Sequence, residues 1–183
     1  MKSYLRNEAY KYYPKGVNGL DDTYMKRKEI KNLKEQVGLT SKKEYGEWVT
    51  LINKFNNQSH LNAIDKTNFT INQSSMALQI ILKSERKFSL VFSCYCSFLI
   101  PYFYFIETIH DSSTRLILDY QNINRVTDKD IKRLINNIKL QFGRKIMNED
   151  YLFFNIPNLS FETIPFGKFN VQKAFFNSKH LML

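Results

Sequence analysis

At 183 residues, 43% hydrophobic and 15% aromatic, the chain is long and apolar enough to bury a core, which excludes a disordered or low-complexity protein. A formal net charge of +10 admits nucleic acid, an anionic membrane or an acidic protein as partner. The N-terminal stretch MKSYLRNEAYKYY has no apolar segment of the kind a secretory signal needs, so a cytoplasmic protein is expected.

Residues 1–20 read as irregular, with turns at Tyr12-Tyr13-Pro14-Lys15-Gly16 and at Gly19. Asp21 and Asp22 are placed to cap a helix over about 22–37, with Ile30, Leu33 and Val37 as its apolar stripe and Gly38 as its stop. Ser41-Lys42-Lys43-Glu44 has the form of a capping box, in which the serine and the glutamate satisfy each other's backbone N–H groups. Tyr45, Trp48, Val49, Ile52 and Phe55 then follow at helical spacing. After a polar connector from Asn56 to Thr67, strands are predicted at Phe69–Ile71, Met76–Leu82, Phe88–Phe98, Tyr102–Ile109 and Arg115–Tyr120, with turns at Ser84–Arg86 and Asp111–Ser113. Thr127, with Asp130 at the third helical position, is read as the cap of a helix over about 128–142. Its stripe is Ile131, Leu134, Ile135, Ile138 and Phe142, and Gly143 closes it. Tyr151–Ile156 and Lys168–Phe176 are predicted as late strands.

The run FSLVFSCYCSFLIPYFYFI, Phe88 to Ile106, carries no charge and is about as long as a bilayer span. Its pattern favours a sheet. Phe88, Leu90, Phe92, Cys94, Cys96 and Phe98 share one parity, while Ser89, Ser93, Tyr95 and Ser97 share the other, with Val91 the exception. Aromatic residues suit a pleated surface, and Pro101 suits the point where two strands meet. The expectation is a buried hairpin whose first strand hides one face, although the basic flank Lys83, Arg86, Lys87 would also suit a transmembrane helix. Cys94 and Cys96, at i and i+2, cannot bridge without distortion and are too few for a zinc site, so they read as core thiols of a reducing compartment.

Short connections favour a meander. The fold class is α+β: an N-terminal helical pair, a mainly antiparallel sheet, and a covering helix at about 128–142. One domain over residues 1–183 is expected, with a helical portion at about 20–57 and a sheet-plus-helix portion at about 68–176.

Candidate chemistry is sparse. His60, His110 and His180 stand apart in sequence. His110-Asp111-Ser112 has the residue types of a hydrolase triad, but neighbours on a strand point to opposite faces, and triads assemble from separated segments. Asp128 and Asp130 suit the first turn of a helix. Glu107, at the end of an apolar strand, would gain acid–base character if it faced inward. No phosphate loop, dinucleotide fingerprint or metal-protease motif occurs, and no metal or cofactor is expected. The strongest charge cluster is Lys26, Arg27, Lys28, Lys31 and Lys34, broken only by Glu29 and Glu35; a solvated helix face accounts for it, and so does a partner-binding surface. Abundant tyrosine fits a base-stacking sheet or a protein interface, but the central strand lacks the basic residues and glycines of RNA-binding sheets.

Four segments together resemble a family of bacterial immunity proteins that protect against polymorphic or type VI secreted toxins. KYYPKGVNGLDDTYMKRKEIKNLKE is similar to that family's opening, where a Pro/Gly segment leads into a charged helix. FSLVFSCYCSFLIPYFYFIET resembles its aromatic hairpin ending in an acid, DKDIKRLINNIKLQFG its next helix, and IPNLSFETIPFGKFNVQKAFF its terminal strands. The resemblance implies a cytoplasmic protein without catalytic residues, whose partner is a cognate toxin bound by direct contact. The basic charge departs from that of a nuclease inhibitor and implies an acidic toxin, or a contact not dominated by charge. A basic nucleic-acid-binding or regulatory module, and an enzyme using Glu107 or His110, are the alternative functions.

Overall fold

A computed structural model describes residues 1–70, 73–111, 113–114, 117–121 and 128–176. The elements are α1 (Lys2–Ala9), a 3-10 turn (Tyr24–Lys26), α2 (Lys28–Lys43), α3 (Tyr45–Gln58), β1 (Ala63–Asp65), β2 (Ser75–Ser84), β3 (Phe88–Ser97), β4 (Tyr102–Asp111), β5 (Ile117–Gln121), α4 (Lys129–Phe142), β6 (Lys145–Ile146), α5 (Glu149–Leu152) and α6 (Val171–Phe176). The fold is α+β. Strands β1 to β5 form an antiparallel meander in sequence order, and β6 pairs in parallel with the start of β4.

The charge-free run is the hairpin β3–β4, paired from Phe88↔Asp111 to Cys96↔Phe103. Among the described residues no helix is long and apolar enough to cross a membrane. Register places Phe92, Cys94 and Cys96 on one face with Met76, Leu78, Ile80, Phe103, Phe105 and Glu107. Ser93, Tyr95 and Ser97 share the other face with Ala77, Gln79, Tyr104, Ile106 and Thr108.

The parity pattern predicts one hidden face, but from Val91 to Ser97 every residue of β3 is buried. The C-terminal segment hides the second face. Ser74 and Ser75 donate to the carbonyls of Ala174 and Phe176 at 3.1 and 3.2 Å, Gln172 donates to the Tyr104 hydroxyl at 3.4 Å, and Phe176 meets Tyr104 edge-on at 4.9 Å. Small hydroxyl side chains here serve as donors to backbone carbonyls that burial would otherwise leave unpaired.

The late strands predicted at Tyr151–Ile156 and Lys168–Phe176 are therefore a correction: both segments contain helices. Asn148 caps α5 by accepting from the Asp150 N–H, and the side-chain Oδ1 of Asn170 accepts from the Lys173 N–H at 2.9 Å. Val171, Ala174 and Phe175 then follow at i, i+3 and i+4, and all are fully buried. A single bridge, Asn155↔Asn170, is the strand-like remnant.

The N-terminal half also departs from expectation. Residues 2–9 form α1, where Leu5 and Ala9 make too narrow a stripe to stand out. Asp21 accepts from the Thr23 N–H at 2.8 Å and begins the 3-10 turn, while α2 starts at Lys28 behind an extended Arg27. Gly38 does not stop α2, which runs on to Lys43 and ends at Glu44 in the right-handed region; a poor helix former lowers helix stability without by itself ending the helix. Ser41 does not begin a helix as the capping-box reading expects: it lies within α2, and Glu44 is the N-cap of α3 and makes no side-chain cap bond. Its carboxylate is held by Arg144 at 2.6 Å instead. Phe69 lies in a loop, stacked on Phe98 at 5.8 Å, where a strand is predicted, and Ile71 falls outside the described residues.

Helix α4 follows its local signals, displaced by one residue at its start. Asp128 is the cap, accepting from the Asp130 and Ile131 N–H groups; Thr127 falls outside the described residues. Gly143 closes the helix in the left-handed region at φ 60°. Trp48, Ile131, Leu134, Ile135 and Ile138 are buried as their spacing predicts.

The two ends of the chain clasp each other. Gly16 and Gly19 donate to the Asn158 carbonyl and the Ser160 hydroxyl at 2.8 and 2.9 Å. The Tyr10, Tyr13 and Tyr24 hydroxyls donate to the carbonyls of Pro157, Ala174 and Ser160 at 3.0, 2.8 and 2.6 Å. Tyr13 also packs edge-on against Phe161 and Phe169.

Candidate interaction surface

Helix α2 presents the strongest charge feature of the described surface. Its inner face, Ile30, Leu33 and Val37, is buried, which fixes the rotation of the helix. Arg27, Lys31 and Lys34 then follow at i, i+4 and i+7 and form one outward stripe about 10 Å long. Lys28 starts the adjacent row, and Lys26 stands in the preceding turn. All five are exposed, and none makes an ion pair with a described residue. The acids of the same stretch are interleaved: Asp21, Asp22, Glu29 and Glu35. Hydrogen bonds from Thr23 hold the Asp21 carboxyl below its ordinary range, and the charge of Arg27 adds to this. The ridge is thus a patterned surface, not a uniform positive field.

Among the described residues, four of the chain's eleven tyrosines do not reach the surface. Tyr13, Tyr24, Tyr95 and Tyr104 are core residues. Their burial pushes the phenols of Tyr13, Tyr24 and Tyr104 well above the ordinary value. A second group does reach solvent. Tyr4 is exposed on α1, while Tyr12 and Tyr102 are half-exposed. Burial, with the nearby charge of Glu8, raises the Tyr4 phenol above its ordinary value, and the Tyr102 hydroxyl meets the Met1 sulfur at 3.8 Å. That contact joins the start of α1 to the start of β4. Segments so distant in sequence leave no local signal of it.

The catalytic candidates do not converge. Glu107 and His110 have opposite parity on β4 and so face opposite sides of the sheet. Glu107 is half-buried opposite Phe92, and burial raises its carboxyl above the ordinary range, but it has no hydrogen-bonded partner among the described residues. His110 meets the Thr108 hydroxyl at 2.7 Å. Asp111 turns away into its own loop, accepting from Ser113 and Thr114, and those bonds lower its carboxyl to about 2. Ser112 falls outside the described residues.

His60 gains partners that its sequence neighbourhood does not suggest. Its Nδ1 lies 3.0 Å from Asp130, which also accepts from Ser59 at 2.6 Å and from Arg133 at 3.0 Å. The serine donates to the carboxylate and not to the imidazole, so the group is not a nucleophile–base pair. It ties the end of α3 to the start of α4. The Ser59 bond is the main reason the Asp130 carboxyl lies below its ordinary range.

Cys94 and Cys96 are free and buried, and burial drives both thiols up, Cys96 to about 12. Such thiols are poor nucleophiles. Among the described residues no group of three or more His, Cys, Asp or Glu is placed to hold a metal ion. Comparison with protein-family models, with curated proteins and with solved structures finds no match.

Proposed function

We propose that the protein is an immunity protein: it binds a cognate secreted toxin in the cytoplasm and neutralises it by direct contact. The observation that carries this reading is the α2 ridge. Arg27, Lys31 and Lys34 stand exposed and unpaired among the described residues, on a helix whose opposite face is locked into the core. A rigid charged ridge speeds encounter with a complementary partner and fixes orientation more than it adds affinity. The complementary toxin face is acidic opposite Arg27, Lys31 and Lys34 and not opposite the interleaved Glu29 and Glu35, a match that a uniformly negative phosphate backbone cannot make. The resemblance of the chain's segment order to that immunity family supports the same reading, and the buried thiols suit a reducing compartment. The mechanism is occlusion or locking of the toxin, with no catalytic role for Glu107 or His110.

Nucleic-acid binding is the second reading, favoured by the net charge of +10. Against it, the acids interleaved along residues 21–35 would face phosphate oxygens wherever the ridge approached a strand.

Calorimetry with the protein encoded by the adjacent upstream gene is the test. A stoichiometric complex of nanomolar affinity or tighter, about −12 kcal/mol, is expected. A Glu107→Gln variant should bind equally well. No binding there, together with tight salt-sensitive binding to RNA or DNA, would replace this reading with the nucleic-acid one.

A further inference from the structure

We propose that Gly38 is the point of closest approach on the α2 ridge, and that the occupant of the ridge is a helix of the toxin packed along it. This rests on the toxin-binding reading and gives that contact a partner element and a specificity-determining residue.

Gly38 extends the cationic row. Arg27, Lys31, Lys34 and Gly38 follow at i, i+4, i+7 and i+11, so the glycine stands on the same outward stripe, about 16 Å along the axis from Arg27. It is exposed and lies inside α2, five residues before the helix ends at Lys43. Nothing within the fold asks for glycine there. Its backbone is helical, and a Cβ built on it would meet nothing within 4 Å. Alanine would hold the helix better at no steric cost. Three long side chains followed by none make a step in the ridge. A partner is held off at the cations and can close on the backbone at Gly38. Helix axes approach to about 8 Å only where the facing side chains are small.

Spacing selects the partner element. Lys31 and Lys34 stand about 6 and 10.5 Å beyond Arg27 along the axis. Acids at i, i+4 and i+7 of a second helix repeat those intervals. Same-face residues of a strand come about 6.7 Å apart and are out of step by the third cation. The acids Glu29 and Glu35 interrupt the field, so the complement is a helix with its acids in register with the row and none opposite Glu35. A helix with patterned side chains meets that condition, whereas a surface of uniform negative charge does not.

The experiment compares two glycines. Gly46, exposed near the start of α3, also has nothing within 4 Å of a built Cβ, but it stands off the row. Melting temperatures of the full chain and its variants are measured alone, and on- and off-rates with the upstream-encoded protein. Gly38→Ala should raise the melting temperature and still raise the off-rate ~10-fold, and Gly38→Leu should raise the off-rate further, with on-rates nearly unchanged. Gly46→Ala should leave both rates within about twofold of the parent. A change that steadies the fold while loosening the complex cannot come from a folding defect. Lys31→Glu with Lys34→Glu should slow association. Folded Gly38 variants that keep the parent's off-rate, while the lysine reversal still slows association, would overturn the Gly38 assignment and leave the toxin-binding reading intact. An equal loss on Gly46→Ala would overturn it as well. Absence of any complex with the parent chain would overturn both. Self-association of the parent that Gly38→Leu abolishes would replace the toxin helix with a second copy of this chain.

Discussion

The α3–sheet–α4 half of the molecule and the clasp between its two ends are built on different kinds of information. In the first, the type and place of the main elements follow local pattern. The period-two run folds as β3–β4, and the stripe of α4 is buried between a side-chain cap and a left-handed glycine. In the clasp, residues 10–24 and 155–170 have almost no periodicity. Their order comes from tyrosine hydroxyls and glycine N–H groups reaching carbonyls and a hydroxyl more than a hundred residues away. A repeating pattern is visible in one segment, whereas a hydrogen bond between distant segments needs both in place.

Leu134→Ala should break the patterned half most severely. The side chain is fully buried, and its removal should cost ~2–5 kcal/mol in denaturant melts; a loss under about 0.5 kcal/mol would show that the site is not core. Gly19→Ala tests the clasp. A Cβ there would stand 2.4 Å from the Glu162 nitrogen and 2.7 Å from its carbonyl oxygen, and backbone cannot yield as a flexible side chain can. Destabilisation of ~1–3 kcal/mol is expected from such overpacking. A neutral result would mean that the two ends do not approach so closely.

Two smaller changes compare helices inside the same molecule. Asp128→Ala removes the cap of α4 and should cost ~1 kcal/mol, whereas α2 has no side-chain cap to lose. Gly38→Ala should stabilise α2 by ~0.5–1 kcal/mol, because a Cβ there meets nothing within 4 Å. A fall in melting temperature on Gly38→Ala would show that the glycine serves a purpose beyond tolerance.

The candidate surface divides along the same line. Lys26, Arg27, Lys28, Lys31 and Lys34 are legible as a cluster because they are close in sequence, and the i, i+4, i+7 spacing of Arg27, Lys31 and Lys34 puts three of them on one stripe. The contact between Tyr102 and Met1 is not legible, since α1 and β4 meet only through the fold. The Arg144–Glu44 pair is equally hidden, and it converts the expected capping glutamate into a tie between the α2–α3 junction and the Ile100 carbonyl that Arg144 also holds. Tyrosine abundance misleads in the opposite direction, because four of these residues are buried with the core.

By itself, the sequence determined the α+β class, the central hairpin, the α4 helix and the basic face of α2. Each depends on the spacing of residue types within a single element, which is a local property of the chain. That β3 is covered on both faces, that residues 171–176 are helical, and that the segments at 10–24 and 155–174 bond to each other came from tertiary contacts. Those outcomes depend on which distant segment supplies the missing hydrogen-bond partner or apolar cover, and that pairing is specified by the whole chain at once.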